Sequence, residues 1–242
     1  DASPAKALHP DASPAKAPSS WGLTSRKLHG VWEELRQTYS AHFLHFLVVV
    51  YLGLKGVAFS LLSAAMLPIF QGLGVSGGDF QIASMVASTP WSAKGWIGVL
   101  SDCFPLGRYH KRGYLLLSSC MGLAGTLGLV LVPEERWRGN QWAVALLFFL
   151  VNWQYSTFDL LAEGKYAEIM REKAGGSEVI SLIWASINLG WLVGAVLLYA
   201  TIDRFGVRPL LAVALLPSLH ATVLAARGAL PEEPARGWQA QR

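Results

Sequence analysis

Six apolar stretches, each about as long as a bilayer core is thick, constrain this chain more than any other feature. They run over Phe43–Pro68, Phe80–Leu100, Gly113–Val132, Trp142–Glu163, Val179–Thr201 and Val207–Ala226. Roughly 20 apolar residues cross the hydrocarbon as a helix. Lipid offers the backbone no hydrogen-bond partners, so each stretch must satisfy its own N–H and C=O groups internally. The connections between them are too short for a soluble domain. Composition agrees: apolar types make up 52% of the residues and charged types 15%, where a soluble domain carries about a quarter charged. The predicted fold is all-α, a polytopic membrane protein of about six transmembrane helices.

The flanks divide simply. Residues 1–20 contain a repeated decapeptide, DASPAKALHP then DASPAKAPSS, and so little apolar surface that a disordered tail is expected. Residues 21–41 place Leu28, Val31, Trp32, Leu35 and Tyr39 at helical spacing, which predicts an amphipathic helix lying at the membrane surface. Residues 42–226 form the six-helix domain, and 227–242 a cytoplasmic tail.

Fourteen Lys and Arg fall on one side of this arrangement and four on the other. The positive-inside bias therefore puts both ends in the cytoplasm. The net charge of +4 is explained by that bias, so no nucleic-acid partner is expected. Cys103 and Cys120 make neither a zinc spacing nor a disulfide framework, and are read as buried or inert thiols. His42, His45 and His220 lack acidic neighbours in sequence and are read as cavity or interface residues. No metal and no cofactor is expected.

Charges inside the spans are more informative, because membranes tolerate them at a cost of at least about 2.5–3.5 kcal/mol each. Lys55 lies near the middle of the first span, too deep to reach water along its own stem. It must meet a carboxylate, an anionic ligand or a water-filled cavity. Lys94 lies about 10 Å from the cytoplasmic edge, where snorkelling or a structural ion pair explains it as well as a functional role does. On a helical wheel, Asn152, Tyr155, Asp159 and Glu163 share one face of the fourth span. Such a polar stripe should line a cavity.

The residues around Lys94 carry a resemblance. Pro90-Trp91-x-x-Lys94, then Gly98-x-x-Ser101-Asp102-x-x-Pro105-x-Gly107 and Lys111-Arg112-x-Tyr114, resemble the folate–biopterin transporter family's PWxxKPxxGxxSD segment and the RRxY that follows it. Asp159-x-x-x-Glu163-x-x-x-x-Glu168 is similar to that family's DxxxDxxxxE, and DLLAEGKYAE looks most like the protozoan branch. Gly95 replaces a proline, which should remove a kink, and Glu163 replaces an aspartate. The family is a branch of the major facilitator superfamily, so the resemblance implies one six-helix half of a twelve-helix carrier.

That resemblance implies a secondary carrier of folate- or biopterin-type pteridines in the plasma membrane. Proton symport is expected on physical grounds, because Asp and Glu buried in a span can gain or lose protons near neutral pH. Tyr51, Lys55, Trp91, Lys94, Asn152, Tyr155, Asp159 and Glu163 are its expected substrate or coupling residues, with Trp91 or Trp153 stacking on a planar pterin. Asp102, Arg108, Lys111 and Arg112 are the expected gating loop. Expected partners are the pteridine, protons, membrane lipid, and a second six-helix half or second copy of the chain. The alternative is a truncated half that transports nothing and serves as a membrane interaction partner or remnant. An enzyme is not expected: no nucleophile elbow, HExxH helix or paired intramembrane aspartates appear.

Overall fold

The computed structural model describes residues 20–174 and 176–235. The repeat and most of the expected tail lie outside them, as do residues 236–242. Among the described residues the chain is almost entirely helical: α1 (Ser20–Thr38), α2 (Ala41–Val48), a π-helical segment (Val49–Ala58), α3 (Phe59–Gly72), α4 (Gly77–Ser92), α5 (Lys94–Cys103), α6 (Arg112–Leu131), α7 (Gln141–Lys173), α8 (Glu178–Phe205) and α9 (Arg208–Ala226).

Local sequence starts several of these helices. Side-chain oxygens of Ser40, Ser76 and Asn140 accept from the backbone N–H of Phe43, Asp79 and Ala143, each satisfying one of the donors a helix start leaves free. Gly206, at φ 70°, turns the chain between α8 and α9 in a conformation that side chains disfavour.

Five helical stretches are long and apolar enough to cross a membrane: Ala41–Gly72, Arg112–Leu131, Gln141–Lys173, Glu178–Phe205 and Arg208–Ala226. The second of the six expected spans differs. It is two helices, α4 and α5, separated at Ala93 (φ −83°, ψ 0°). Losing the family's proline at position 95 therefore does not yield a straight helix. Glycine stands there instead, and it weakens a helix by about 1 kcal/mol relative to alanine. The fourth span also runs ten residues past its expected end, because α7 continues as a charged helix to Lys173. At about 1.5 Å per residue this extension stands clear of the hydrocarbon.

Small residues set the packing. An added Cβ at Gly56 would lie 2.7 Å from the Gly190 Cα, and one at Gly53 would lie 2.8 Å from the Pro217 Cβ. The π segment is thus wedged between the backbone of α8 and the Pro217 side chain of α9. The Ser186, Gly190, Gly194 row of α8 faces this contact, as small-residue rows in membrane helices do. Gly122, Gly125 and Gly128 of α6 receive Gln154, Leu147 and Leu150 of α7 in the same way. Cys103 and Cys120 are free and exposed rather than buried. The His45 and His220 rings meet edge to face at 5.0 Å.

Candidate functional site

Three elements converge on one carboxylate. The π segment supplies Lys55, the first residue of α5 is Lys94, and the middle of α7 supplies Asp159. Lys55 Nζ lies 2.8 and 3.0 Å from the two Asp159 oxygens, and Lys94 Nζ donates to Oδ2 of the same group. Asp159 is 1% exposed, while the lysine side chains are 30% and 23% exposed. A buried acid is therefore roofed by two cations that still reach open space. Glu163, one turn on, is 4.0 Å from Lys94 and 54% exposed, so its contribution is weak. Counting charges, the three inner groups carry one positive charge in excess.

Aromatic rings enclose the cluster. The Trp91 ring has Lys94 at 5.2 Å and Lys55 at 5.9 Å, and the Tyr51 ring has Lys55 at 5.7 Å. These are cation–π distances. Trp91 is held in turn: its indole N–H donates to Asn152 Oδ1 at 2.8 Å, and Asn152 Nδ2 donates to the Phe148 carbonyl. The Tyr51 hydroxyl reaches the Asp159 carbonyl at 3.5 Å, a marginal bond.

Seven of the eight residues expected at the site are therefore brought together. The eighth, Tyr155, is buried behind the Phe59 ring, at 6.5 Å. Trp153 instead packs against Phe149, the rings 5.6 Å apart and tilted by 39°. Sequence reasoning left the partner of Lys55 open, and a π-helical turn is what supplies it. A π segment bonds i to i+5 and turns side chains out of α register, so an α-helical wheel through Tyr51 and Lys55 misplaces them.

The loop after α5 shows a second constellation. Lys111 Nζ lies 4.0 Å from Asp102 and 3.9 Å from Glu168, and Glu168 pairs with Lys165 at 2.9 Å. Arg108 and Arg112 both approach the Tyr109 ring, and the Arg112 guanidinium donates to the Ala226 carbonyl. Among the described residues Asp102 caps no helix. The acid that does so is Glu232, whose two oxygens accept from the backbone N–H of Lys111 (2.8 Å) and Arg112 (2.9 Å) at the start of α6. Residues 227–235, expected to be part of a simple tail, thus fold back under the loop. Ala229, Leu230 and Ala235 are buried, and the Ala235 N–H donates to the Arg108 carbonyl. Nothing in the sequence around Glu232 marks it as a cap for a helix 120 residues earlier.

A carboxylate on a helix N-terminus carries both hydrogen-bond and dipole energy. Glu232→Ala is expected to cost about 1–2 kcal/mol, and Glu232→Gln less than that. Thermal unfolding in mild detergent measures it, and an unchanged melting temperature for Glu232→Ala would show that the strap is held by its apolar contacts alone.

The fold and site define a class: a polytopic helical membrane protein with a charge cluster buried between its spans. Residues 55–240 match the BT1 family, and the chain belongs to that family. It is similar to the probable folate-biopterin transporter 4 of Arabidopsis thaliana, 26% identical over 167 residues that make up 68% of this chain and 33% of the relative. It is also similar to the folate-biopterin transporter of Synechocystis, 29% identical over 143 residues, 58% of this chain and 28% of the relative. The chain thus aligns to about a third of the length of these relatives. No solved structure matches it.

Proposed function

We propose that this chain forms one half of a secondary carrier for folate- or biopterin-type pteridines in the plasma membrane, coupled to protons. The observation that carries the reading is the excess positive charge held over a buried acid by Lys55, Lys94 and Asp159. The names of the two relatives supply the ligand class. An arriving anion competes with Asp159 for the two ammonium groups. Taking up a proton on the displaced carboxylate keeps the net charge of the cavity small, which low dielectric demands. Release of both restores the ion cluster.

Lys55 and Lys94 bind the anion, Asp159 exchanges with it and carries the proton, and Trp91 faces both cations with Asn152 holding its ring. Because the lysines remain partly exposed, the open side of the site is where a second six-helix half would close it. The loop through Asp102, Arg108, Lys111 and Arg112, tied to α7 and to the strap at Glu232, gates the cytoplasmic side.

The test is uptake of labelled folate and biopterin across a range of pH, using this chain alone and with a second half. Lys94→Ala is expected to abolish uptake, and Asp159→Asn to abolish it or remove its pH dependence. Wild-type, pH-dependent uptake by Lys94→Ala would overturn the mechanism. Absence of uptake under every pairing would favour the non-transporting half.

A further inference from the structure

Above the charge cluster, towards the α3–α4 connection, lies a cavity of about 210 Å³ bounded by α3, α4 and α7. Four aromatic rings wall it: Phe59, Phe80, Trp91 and Phe148. Phe59 and Trp91 meet at 5.2 Å, edge to face, and form its lower end together with Asn152. Leu62, Met66 and Leu67 add aliphatic wall, and Ser63, Ser84 and Ser88 bring three hydroxyls to the lining. Ser88 donates to the Ser84 carbonyl at 2.8 Å. Among the described residues Ser63 and Ser84 have no hydrogen-bond partner for their hydroxyls.

Ser63 and Ser88 are exposed and Ser84 half-buried, so the crevice opens to the surface beside these hydroxyls. Flat apolar walls favour a flat ring, and unpartnered hydroxyls favour a ring whose edge carries both donors and acceptors. The volume is below the roughly 300 Å³ of the smallest drug-sized pockets, so the cavity takes a ring and not a whole elongated ligand. Geometry says where the rest would go. From Asn152 to Asp159 along α7 is seven residues, or about 10 Å, and the path from cavity to cluster runs past Trp91, which borders both.

We infer that the site has two parts: the α3–α4–α7 cavity holds a fused, nitrogen-rich aromatic ring, while Lys55 and Lys94 hold an anionic group about 10 Å away. The inference rests on the carrier reading above and deepens it. A ring without an anionic tail uses the cavity alone. A tail without the ring uses the lysines alone. A conjugated ligand such as folate uses both. Selectivity between conjugated and unconjugated pterins is thereby set by separate residues on separate helices.

The experiment is equilibrium binding to the full chain in lipid nanodiscs with three labelled probes: biopterin, folate and p-aminobenzoylglutamate, which is the anionic end without the ring. Ser84→Leu fills the cavity and is expected to weaken biopterin and folate by at least about tenfold while leaving p-aminobenzoylglutamate within about twofold. Ser63→Leu, on the facing wall, should act alike, so that misfolding of one variant leaves the other to decide. Lys94→Met should reverse the order, weakening folate and p-aminobenzoylglutamate at least about tenfold more than biopterin. Equal loss of all three probes in a variant that still melts like the wild type, or full biopterin binding by both leucine variants, would overturn the division. Failure of the wild-type chain to bind any probe would instead overturn the carrier reading, and this one with it.

Discussion

Asp159→Ala is expected to destabilise the folded chain by about 3 kcal/mol, the cost of leaving buried charge without its partner. The acid is 1% exposed and is the shared partner of Lys55 and Lys94, so its removal strands two ammonium groups between the π segment, α5 and α7. Their partial exposure keeps the cost near the low end of the range for buried pairs. The lysines behave asymmetrically to this. Lys94→Met leaves Lys55 and Asp159 as a neutral pair, and should change stability by less than about 1 kcal/mol. The double variant Asp159→Asn with Lys94→Met leaves Lys55 unpaired and should not recover. Adding Lys55→Met removes the last charge and is expected to restore most of the lost stability without restoring ligand binding. Unfolding in mixed micelles measures the series. Full recovery by the double variant would mean that Lys55 finds water and does not depend on Asp159.

Gly190→Ala is expected to cost about 2 kcal/mol, the scale of overpacking in a close-packed interior. A Cβ there would lie 2.4 Å from the Leu52 carbonyl oxygen and 2.6 Å from the Gly56 Cα. Both are backbone atoms, which cannot swing aside as a side-chain tip can. The π segment would have to move off α8, and it carries Tyr51 and Lys55. Loss of ligand binding should therefore accompany the loss of stability, although Gly190 touches neither Lys55 nor Asp159. Gly95→Ala is the control, since no atom lies within 4 Å of its added Cβ and alanine favours the helix. Normal melting and binding in Gly190→Ala would show that α8 is free to slide at this crossing.

The readings that succeeded from sequence were those whose physics is local or one-dimensional. Hydropathy and length located five of the six expected spans, because a helix in lipid must bury its own backbone and reach across a set thickness. The cost of charge in hydrocarbon singled out Lys55, Lys94 and Asp159 before any contact was known. A wheel put Asn152, Asp159 and Glu163 on one face of α7 because that helix is regular. Tyr155, on the same stripe by angle, ends behind Phe59, since angular position says nothing of which neighbour arrives to cover a residue.

What the amino-acid order by itself determined is therefore the helical membrane class, five of the spans and the inventory of costly buried charges. The structure alone decided the rest. That Asp159 is shared between two lysines depends on a π turn, on a helix break at Ala93 and on the close crossing at Gly56 and Gly190. That Glu232 caps α6 depends on a strap returning from beyond α9. The side-chain pairings among these join residues 65 to 121 positions apart. Their energies come from geometry and shared desolvation, and neither is encoded in the spacing of residues along one helix.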